Sequence, residues 1–185
     1  MIRNILVTGG TGFFGRHLIN HLASLSNNIT LLTRRDTSLP DDIDSSINLI
    51  CVDDEINLSH LKNTDCVIHL ATCYGRNGET KEQIYETNFK FGIKLLEMAK
   101  KIQSKYFINF DTSLPDQINH YSSSKAAFRS TCKKYAGDSL KIVNLKIESI
   151  YGPNKSGKDF SNLLIQTCMN NEKSINLSGC DQIRD

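Results

Sequence analysis

A tyrosine and a lysine lie four residues apart in the stretch "YSSSK" at residues 121–125, and together they can move a proton. Residues four apart share one face of a helix, so the Lys125 ammonium would lie near the Tyr121 phenol and lower its pKa. Such a phenol can act as a general acid or base toward a carbonyl oxygen. The same spacing recurs at Tyr151 and Lys155, but "YGPNK" cannot form the helix that would align them. We therefore predict that Tyr121 and Lys125 are catalytic.

A third polar side chain is needed to hold the same carbonyl oxygen. The strand-like stretch "YFINF" is followed by Asp111, Thr112 and Ser113, at the carboxyl end of a strand, where ligands bind in open α/β sheets. A hydroxyl at this point could donate a hydrogen bond to the oxygen that Tyr121 protonates. Thr112 and Ser113 are both candidates, and turn capping is the ordinary role for the other.

A regular glycine spacing follows the first apolar run, at Gly9, Gly12 and Gly15. In a strand–turn–helix unit, the first glycine permits the tight turn, the second lets the backbone approach a pyrophosphate, and the third lets the helix pack on the strand. The helix N-terminus then offers N–H groups and a positive dipole end to the phosphates. A helix cap or a packing glycine is the non-functional alternative. We expect the cofactor contacts of this turn to come from Gly9, Thr11, Gly12, Phe13, Phe14 and Gly15.

The end of the second strand distinguishes the two nicotinamide cofactors. An NAD site usually has a carboxylate there to hold the ribose hydroxyls, but "LLTRRD" has Arg34 and Arg35 instead. Two guanidinium groups would bind the 2′-phosphate of NADP through charge-assisted hydrogen bonds. In the alternative, one arginine is simply solvated and Asp36 pairs with it. The sequence therefore favours NADP (NADPH) over NAD.

The elements that must position these residues alternate along the chain. Apolar runs of strand length and helical patterns follow one another, which predicts an α/β fold with a Rossmann-like, doubly wound parallel sheet. We assign residues 1–150 to this domain and residues 151–185, which follow the turn signal "YGPN", to the beginning of a second, smaller lobe. The predicted strands are Asn4–Thr8, Ile29–Thr33, Ile47–Val52, Cys66–Leu70, Tyr106–Phe110 and Lys141–Lys146, and the predicted helices are Gly12–Ser24, Lys81–Lys101, Tyr121–Tyr135 and Phe160–Asn170, with a helical turn near Leu58–Leu61.

Composition limits the function classes. The 185 residues are 39% hydrophobic and 23% charged, and a net charge of +2 with scattered Lys and Arg argues against a nucleic-acid-binding surface. The opening apolar run is too short for a signal peptide, and no stretch has membrane-spanning length. The cysteines form no CxxC pair, and Cys51, Cys66 and Cys73 lie in or beside apolar runs. We therefore predict buried, reduced thiols, no metal site and a cytoplasmic protein.

Several stretches resemble the extended short-chain dehydrogenases/reductases of the NAD-dependent epimerase/dehydratase family. They are "TGGTGFFG", "DCVIHLAT", "YETNFKFGIKLLEMA", "YSSSK" and "YGPN", which are spread over most of the chain. Within that family, "HLATCYGR", "INFDTS", "NLKIESIYGP" and "QIRD" are most similar to NADPH-dependent reductases of keto-deoxysugars. The resemblance implies a nucleotide-linked 4-keto-deoxysugar as substrate, and a place in the synthesis of bacterial surface polysaccharide.

The resemblance also implies a role for each matching residue. Tyr121 would protonate the keto oxygen, Lys125 would hold the nicotinamide ribose, and Thr112 would be the active-site hydroxyl, with Ser113 ranked second. The helices Lys81–Lys101 and Tyr121–Tyr135 would form a homodimer contact. Further cofactor-site residues by resemblance are Asp53 at the adenine edge, Leu70, Ala71 and Thr72 along the cofactor, and Asn88 in support of the active site.

The chain also departs from the family pattern. Dehydratases have an Asp-Glu pair after the threonine, whereas Ser113 and Leu114 follow Thr112 here, which disfavours dehydration. The short segment from Thr112 to Tyr121 disfavours epimerisation more weakly. The resemblance implies that residues 151–185 are the beginning of a sugar-nucleotide-binding lobe. In the family, "QIRD" leads into the rest of that lobe, so we expect a chain ending at Asp185 to be a fragment or the product of a broken gene. The sequence leaves open a reductase, an NAD(P)-dependent nucleotide-sugar epimerase and a non-catalytic NADP-binding remnant.

Overall fold

A computed structural model describes residues 2–25, 27–34, 37, 39–52, 61–148, 150–152 and 160–175. The chain divides into two compact units, residues 1–148 and residues 149–185. The described elements of the first unit are β1 (Asn4–Thr8), α1 (Phe13–Ser24), β2 (Asn28–Arg34), β3 (Asn48–Val52), β4 (Cys66–His69), α2 (Lys81–Tyr85), a π-helical turn (Glu86–Lys90), α3 (Phe91–Lys101), β5 (Tyr106–Thr112), α4 (His120–Tyr135) and β6 (Lys141–Ile147).

The described strands form one parallel sheet in the order β3-β2-β1-β4-β5-β6. The chain runs outward from β1 to β3 and then from β4 to β6, so the direction of winding reverses between β1 and β4. In sheets of this kind, ligands bind at the carboxyl ends of the strands beside such a reversal. The predicted Rossmann-like, doubly wound α/β fold is confirmed.

Both faces of the central strands β1 and β4 are buried, as their apolar runs predict. Along β1, Ile5 and Val7 pack with Ile19 of α1 in one cluster, whereas Leu6 belongs to a second cluster on the other face. That second cluster includes Leu95 of α3. Successive residues of a strand point to opposite faces, so one continuous apolar run supplies two cores.

Two described elements differ from the prediction by more than one residue at an end. The stretch Lys81–Lys101 is not one regular α-helix, because the π-helical turn interrupts it. Strand β5 runs two residues further than predicted, so Asp111 and Thr112 lie in the strand and pair with Lys146 and Ile147 of β6. Most of the predicted turn near residues 58–61 lies outside the described residues. The homodimer contact stays a prediction.

Only some of the described cysteine thiols are buried, although burial was predicted for them. Cys66 and Cys132 are buried, and burial raises the pKa of each thiol to about 12. Cys51 is exposed, which corrects the prediction of burial, because β3 is an edge strand with exposed positions. Among the described residues, no helix is long and apolar enough to cross a membrane, and no three His, Cys, Asp or Glu side chains cluster as metal ligands would.

The second unit is described at residues 150–152 and 160–175. Its helix α5 (Phe160–Met169) has no buried residue and exposes Phe160, Ile165 and Met169. Its assignment to a sugar-nucleotide-binding lobe stays a prediction.

Candidate active site

The turn between β1 and α1 brings backbone against backbone. Gly9 has a φ of +73°, a conformation that favours glycine, and a Cβ added to it would lie 2.5 Å from the backbone nitrogen of Ala71. A Cβ on Gly15 would collide with the backbone of Gly9 and Gly10. The tight turn and the close helix packing predicted for these glycines are therefore both present.

Gly12 lies at the open side of the same turn. Its φ is −71°, it is exposed, and among the described atoms a Cβ there would meet the carbonyl oxygen of Gly9, at 3.3 Å. It is the N-cap of α1, whose first turn contains Arg16 and no acidic residue. The space in front of this helix N-terminus fits an anionic group such as a dinucleotide diphosphate. The other predicted contacts of the turn, Thr11, Phe13 and Phe14, are half-buried around it.

The end of β4 lies against the glycine turn. The backbone nitrogen of Leu70 donates to the carbonyl oxygen of Thr8 at 3.0 Å, and Ala71 is the residue that a Cβ on Gly9 would strike. Arg34 is exposed at the carboxyl end of β2, the other neighbour of β1. Arg35 and Asp53, which the sequence also predicts as cofactor contacts, lie outside the described residues.

Asn88, in the π-helical turn, is buried and links the loop after β4 to α4. Its Oδ1 accepts hydrogen bonds from Thr72 Oγ1 at 3.2 Å and from the Cys73 backbone nitrogen at 2.7 Å. Its Nδ2 donates to the Cys73 carbonyl oxygen at 2.9 Å and to Ser124 Oγ at 3.0 Å. The hydrogen-bonding capacity of the amide is used up. Asn88 therefore supports the residues that flank the site, which is the role that the resemblance implies, and a contact with the cofactor stays a prediction.

Helix α4 brings the predicted catalytic residues to the end of β5. Asn119 caps the helix, because its Oδ1 accepts from the Ser122 backbone nitrogen at 2.8 Å, and the helix therefore begins just before Tyr121. The Thr112 hydroxyl lies within reach of the Tyr121 phenol. Lys125 is only 2% exposed and donates from Nζ to the carbonyl oxygen of Phe110 at 2.8 Å.

Thr112 rather than Ser113 faces this cluster. Thr112 is buried and lies near Tyr121, whereas Ser113 is exposed and its backbone nitrogen donates to the carbonyl oxygen of Ile147 in β6. The structure therefore places Thr112 near Tyr121 and holds Lys125 at the neighbouring Phe110, and it distinguishes the two hydroxyls that the sequence left as alternatives. Of the rejected pair, Tyr151 is exposed and Lys155 lies outside the described residues.

Burial dominates the electrostatics of the cluster. It raises the pKa of Tyr121 to about 12, a rise to which Tyr74 adds and which the nearby Thr112 hydroxyl opposes. Burial also lowers the pKa of Lys125 to about 8, although the nearby Asp111 carboxylate opposes that change. The prediction that Lys125 lowers the pKa of Tyr121 is therefore wrong for this structure, in which the ammonium is held by a backbone carbonyl.

Two further side chains near Tyr121 were not predicted: the aromatic Tyr74 and the cationic Arg76. The Tyr74 ring lies against the Tyr121 ring, with 5.0 Å between their centroids, and the Arg76 guanidinium lies 5.2 Å from the centre of Tyr74. Both residues follow β4 in the stretch "HLATCYGR", but neither has a spacing that connects it to Tyr121. The sequence carried no signal for this contact.

An ion-pair network beside the cluster was also missed. Arg129 of α4 donates from Nη1 to Asp111 Oδ2 at 2.6 Å and from Nη2 to Asp116 Oδ1 at 2.5 Å. Arg129 follows Lys125 by four residues, the spacing that also separates Lys125 from Tyr121. This repeated spacing was the available signal, since it places the three side chains on one helix face.

Residues 5–185 match the NAD dependent epimerase/dehydratase family. A CDP-abequose synthase from Salmonella muenchen is 30% identical over 193 residues, which cover 99% of this chain and 65% of that relative. The structure of UDP-glucuronic acid 4-epimerase from Bacillus cereus in complex with NAD superposes with a TM-score of 0.74 at 25% identity, over 91% of this chain and 63% of that one. MoeE5 in complex with UDP-glucuronic acid and NAD gives a TM-score of 0.75 at 25% identity, over 89% and 60%. The matches confirm the predicted resemblance, and the chain spans just under two thirds of the length of the curated relatives it matches.

Proposed function

The chain belongs to the NAD dependent epimerase/dehydratase family, and we propose that it reduces a nucleotide-linked 4-keto-deoxysugar with NADPH during the synthesis of a bacterial surface polysaccharide such as O-antigen. The observation that carries the proposal is the meeting of Thr112, Tyr121 and Lys125 at the end of β5. This corner adjoins the glycine turn, since Phe14 of α1 packs on Phe110 with 5.1 Å between the ring centroids. The similarity to CDP-abequose synthase supports the class of sugar.

Each side chain of the corner has one task in this reaction. When bound, the nicotinamide cofactor supplies a hydride to the carbonyl carbon. Tyr121, whose pKa is about 12, is protonated at neutral pH and donates its hydroxyl proton to the carbonyl oxygen. Thr112 donates a hydrogen bond to the same oxygen as its charge develops. One N–H of the Lys125 ammonium donates to the carbonyl oxygen of Phe110, and the other two can donate to the nicotinamide ribose.

The substitution Tyr121→Phe tests the proposal, because it removes the proton and keeps the ring. We expect kcat to fall about 10²- to 10⁴-fold, with NADPH affinity unchanged. The measurement is NADPH oxidation with a CDP-linked 4-keto-deoxysugar, together with NADPH binding by fluorescence. Tyr135→Phe, at the far end of the same helix, is the matched control and should retain full activity. Full activity in the Tyr121 variant would show that another group donates the proton.

We also propose NADP as the preferred cofactor, although the structures of MoeE5 and of the Bacillus cereus 4-epimerase contain NAD. The exposed Arg34 guanidinium, at the carboxyl end of β2, supports this choice because a 2′-phosphate can accept charge-assisted hydrogen bonds from it. Arg34→Ala, and likewise Arg35→Ala, should weaken NADPH binding about 10- to 100-fold and leave NADH binding unchanged. Arg3→Ala is the control, because Arg3 precedes β1 at the amino-terminal end of the strands, away from the carboxyl end that carries Arg34. Equal effects on both cofactors would contradict the preference.

A nucleotide-sugar epimerase is the second candidate, which the similarity to the Bacillus cereus 4-epimerase favours. An epimerase regenerates its cofactor in every turnover, whereas a reductase releases one oxidised cofactor for each sugar reduced. Counting NADP⁺ against product therefore separates the two. A chain that binds NADPH and changes no keto-sugar would instead be a binding protein.

A further inference from the structure

We propose that Arg129 is a positioning residue that fixes Thr112 and the loop after it against helix α4, an inference that rests on the proposed reductase site. The loop comprises residues 113–119, between β5 and α4. One guanidinium pairs with Asp111 in the strand and with Asp116 in the loop, at 2.6 Å and 2.5 Å. Because the guanidinium is planar and forked, it holds both carboxylates in a set geometry. Strand, loop and helix are thereby joined beside Tyr121.

The Asp111 end of this network is the buried one. The Asp111 side chain is 0% exposed and that of Arg129 19%, whereas Asp116 is 53% exposed. Besides the bond to Arg129, the Asp111 carboxylate accepts a hydrogen bond from the Thr112 backbone nitrogen, at 2.9 Å to Oδ1. A buried carboxylate depends on such partners. Arg129 therefore orients Thr112 through the carboxylate that both of them touch.

The same carboxylate acts on the proton-transfer pair. Asp111 raises the pKa of both Tyr121 and Lys125, so its position influences the two groups that the proposed reaction uses. A second hydrogen bond joins the loop to the site: the Leu114 backbone nitrogen donates to Thr112 Oγ1 at 3.2 Å. Displacement of the loop would therefore move the hydroxyl that faces Tyr121.

Variants of the full chain test this role by kinetics. Arg129→Ala should lower kcat about 100-fold with the KM for NADPH unchanged, since a displacement of about 1 Å is enough for such a loss. Added guanidinium ion should restore part of the activity, and Arg129→Lys should not, because an ammonium lacks the planar fork. Lys133→Ala, which removes an exposed cation one turn further along α4, should retain full activity. Full activity in Arg129→Ala would overturn the proposal.

Backbone hydrogen exchange tests the same role without substrate. Residues 112–120 should exchange about tenfold faster in Arg129→Ala than in the parent, with β1 to β4 unchanged. If Arg129→Ala does not fold, Asp116→Asn gives the same comparison, because its carboxylate is exposed. Faster exchange in a chain that reduces no keto-sugar would support the positioning role and reject the reductase. Equal exchange of residues 112–120 in the folded variants would overturn the positioning role whatever the activity.

Discussion

The glycine turn at residues 9–15 and the catalytic corner at the end of β5 are built by opposite means. In the turn, Gly9 and Gly15 have no side chains, so strand, helix and the end of β4 can meet backbone to backbone. In the corner, polar side chains hold one another: the buried Asn88 bonds to Ser124, and the half-buried Arg129 pairs with the buried Asp111. The glycine turn depends on the absence of a Cβ at Gly9 and Gly15, because the backbone fills that space. The catalytic corner depends on hydrogen bonds and ion pairs between its side chains. A Cβ added in the turn should therefore lower the stability, whereas removal of the buried Lys125 charge from the corner should raise it.

The largest expected effect is in the turn. Gly9→Ala should lower the free energy of unfolding by about 3 kcal/mol, because the φ of +73° strains an alanine and its Cβ would overlap the Ala71 backbone. Urea unfolding measures the loss. Gly78→Ala, with a φ of +83° and open space around it, isolates the strain and should cost about 1 kcal/mol. Equal losses at both positions would show that the close approach to Ala71 contributes nothing.

A smaller effect of opposite sign is expected in the corner. The pKa of Lys125 is lowered from 10.5 to about 8, so its buried charge costs about 3 kcal/mol at neutral pH. Lys125→Met removes that cost and loses the hydrogen bond to Phe110, so the variant should be about 2 kcal/mol more stable at pH 7. Catalysis would be lost at the same time.

The pH dependence checks the cause. Between pH 8 and 10.5 the unfolded chain binds the Lys125 proton more tightly than the folded chain, so the stability of the parent rises with pH through this window. The advantage of Lys125→Met should therefore disappear above pH 10.5. Urea unfolding at several pH values measures it, with the exposed Lys133→Met as control. If Lys125→Met is less stable than the parent at pH 7, the buried ammonium does not destabilise the folded chain.

The two regions also differ in how far the sequence predicted them. The turn was predictable because the glycines that define it lie within a few consecutive residues. A protein needs glycine at a given position for only a few physical reasons, so the pattern has few interpretations. Asp111 and Arg129 are 18 residues apart, and their pairing becomes visible only once strand and helix lie side by side. The π-helical turn was missed because one extra residue in a turn barely disturbs the apolar period of residues 81–101. Helical spacing likewise placed Lys125 near Tyr121 but could not tell that its ammonium would bind Phe110.

The pairing of β1 with β4 has a consequence for the order in which the protein assembles. The two strands run parallel, and the Thr8 hydroxyl meets His69 Nδ1 at 2.8 Å across 61 residues of chain. No tight hairpin can close such a pair, so β1 leaves the ribosome long before its second neighbour exists. The glycine loop is therefore synthesised well before the strand β4 that completes its surroundings. Ligand capture at that loop would report a late step of folding rather than an early one.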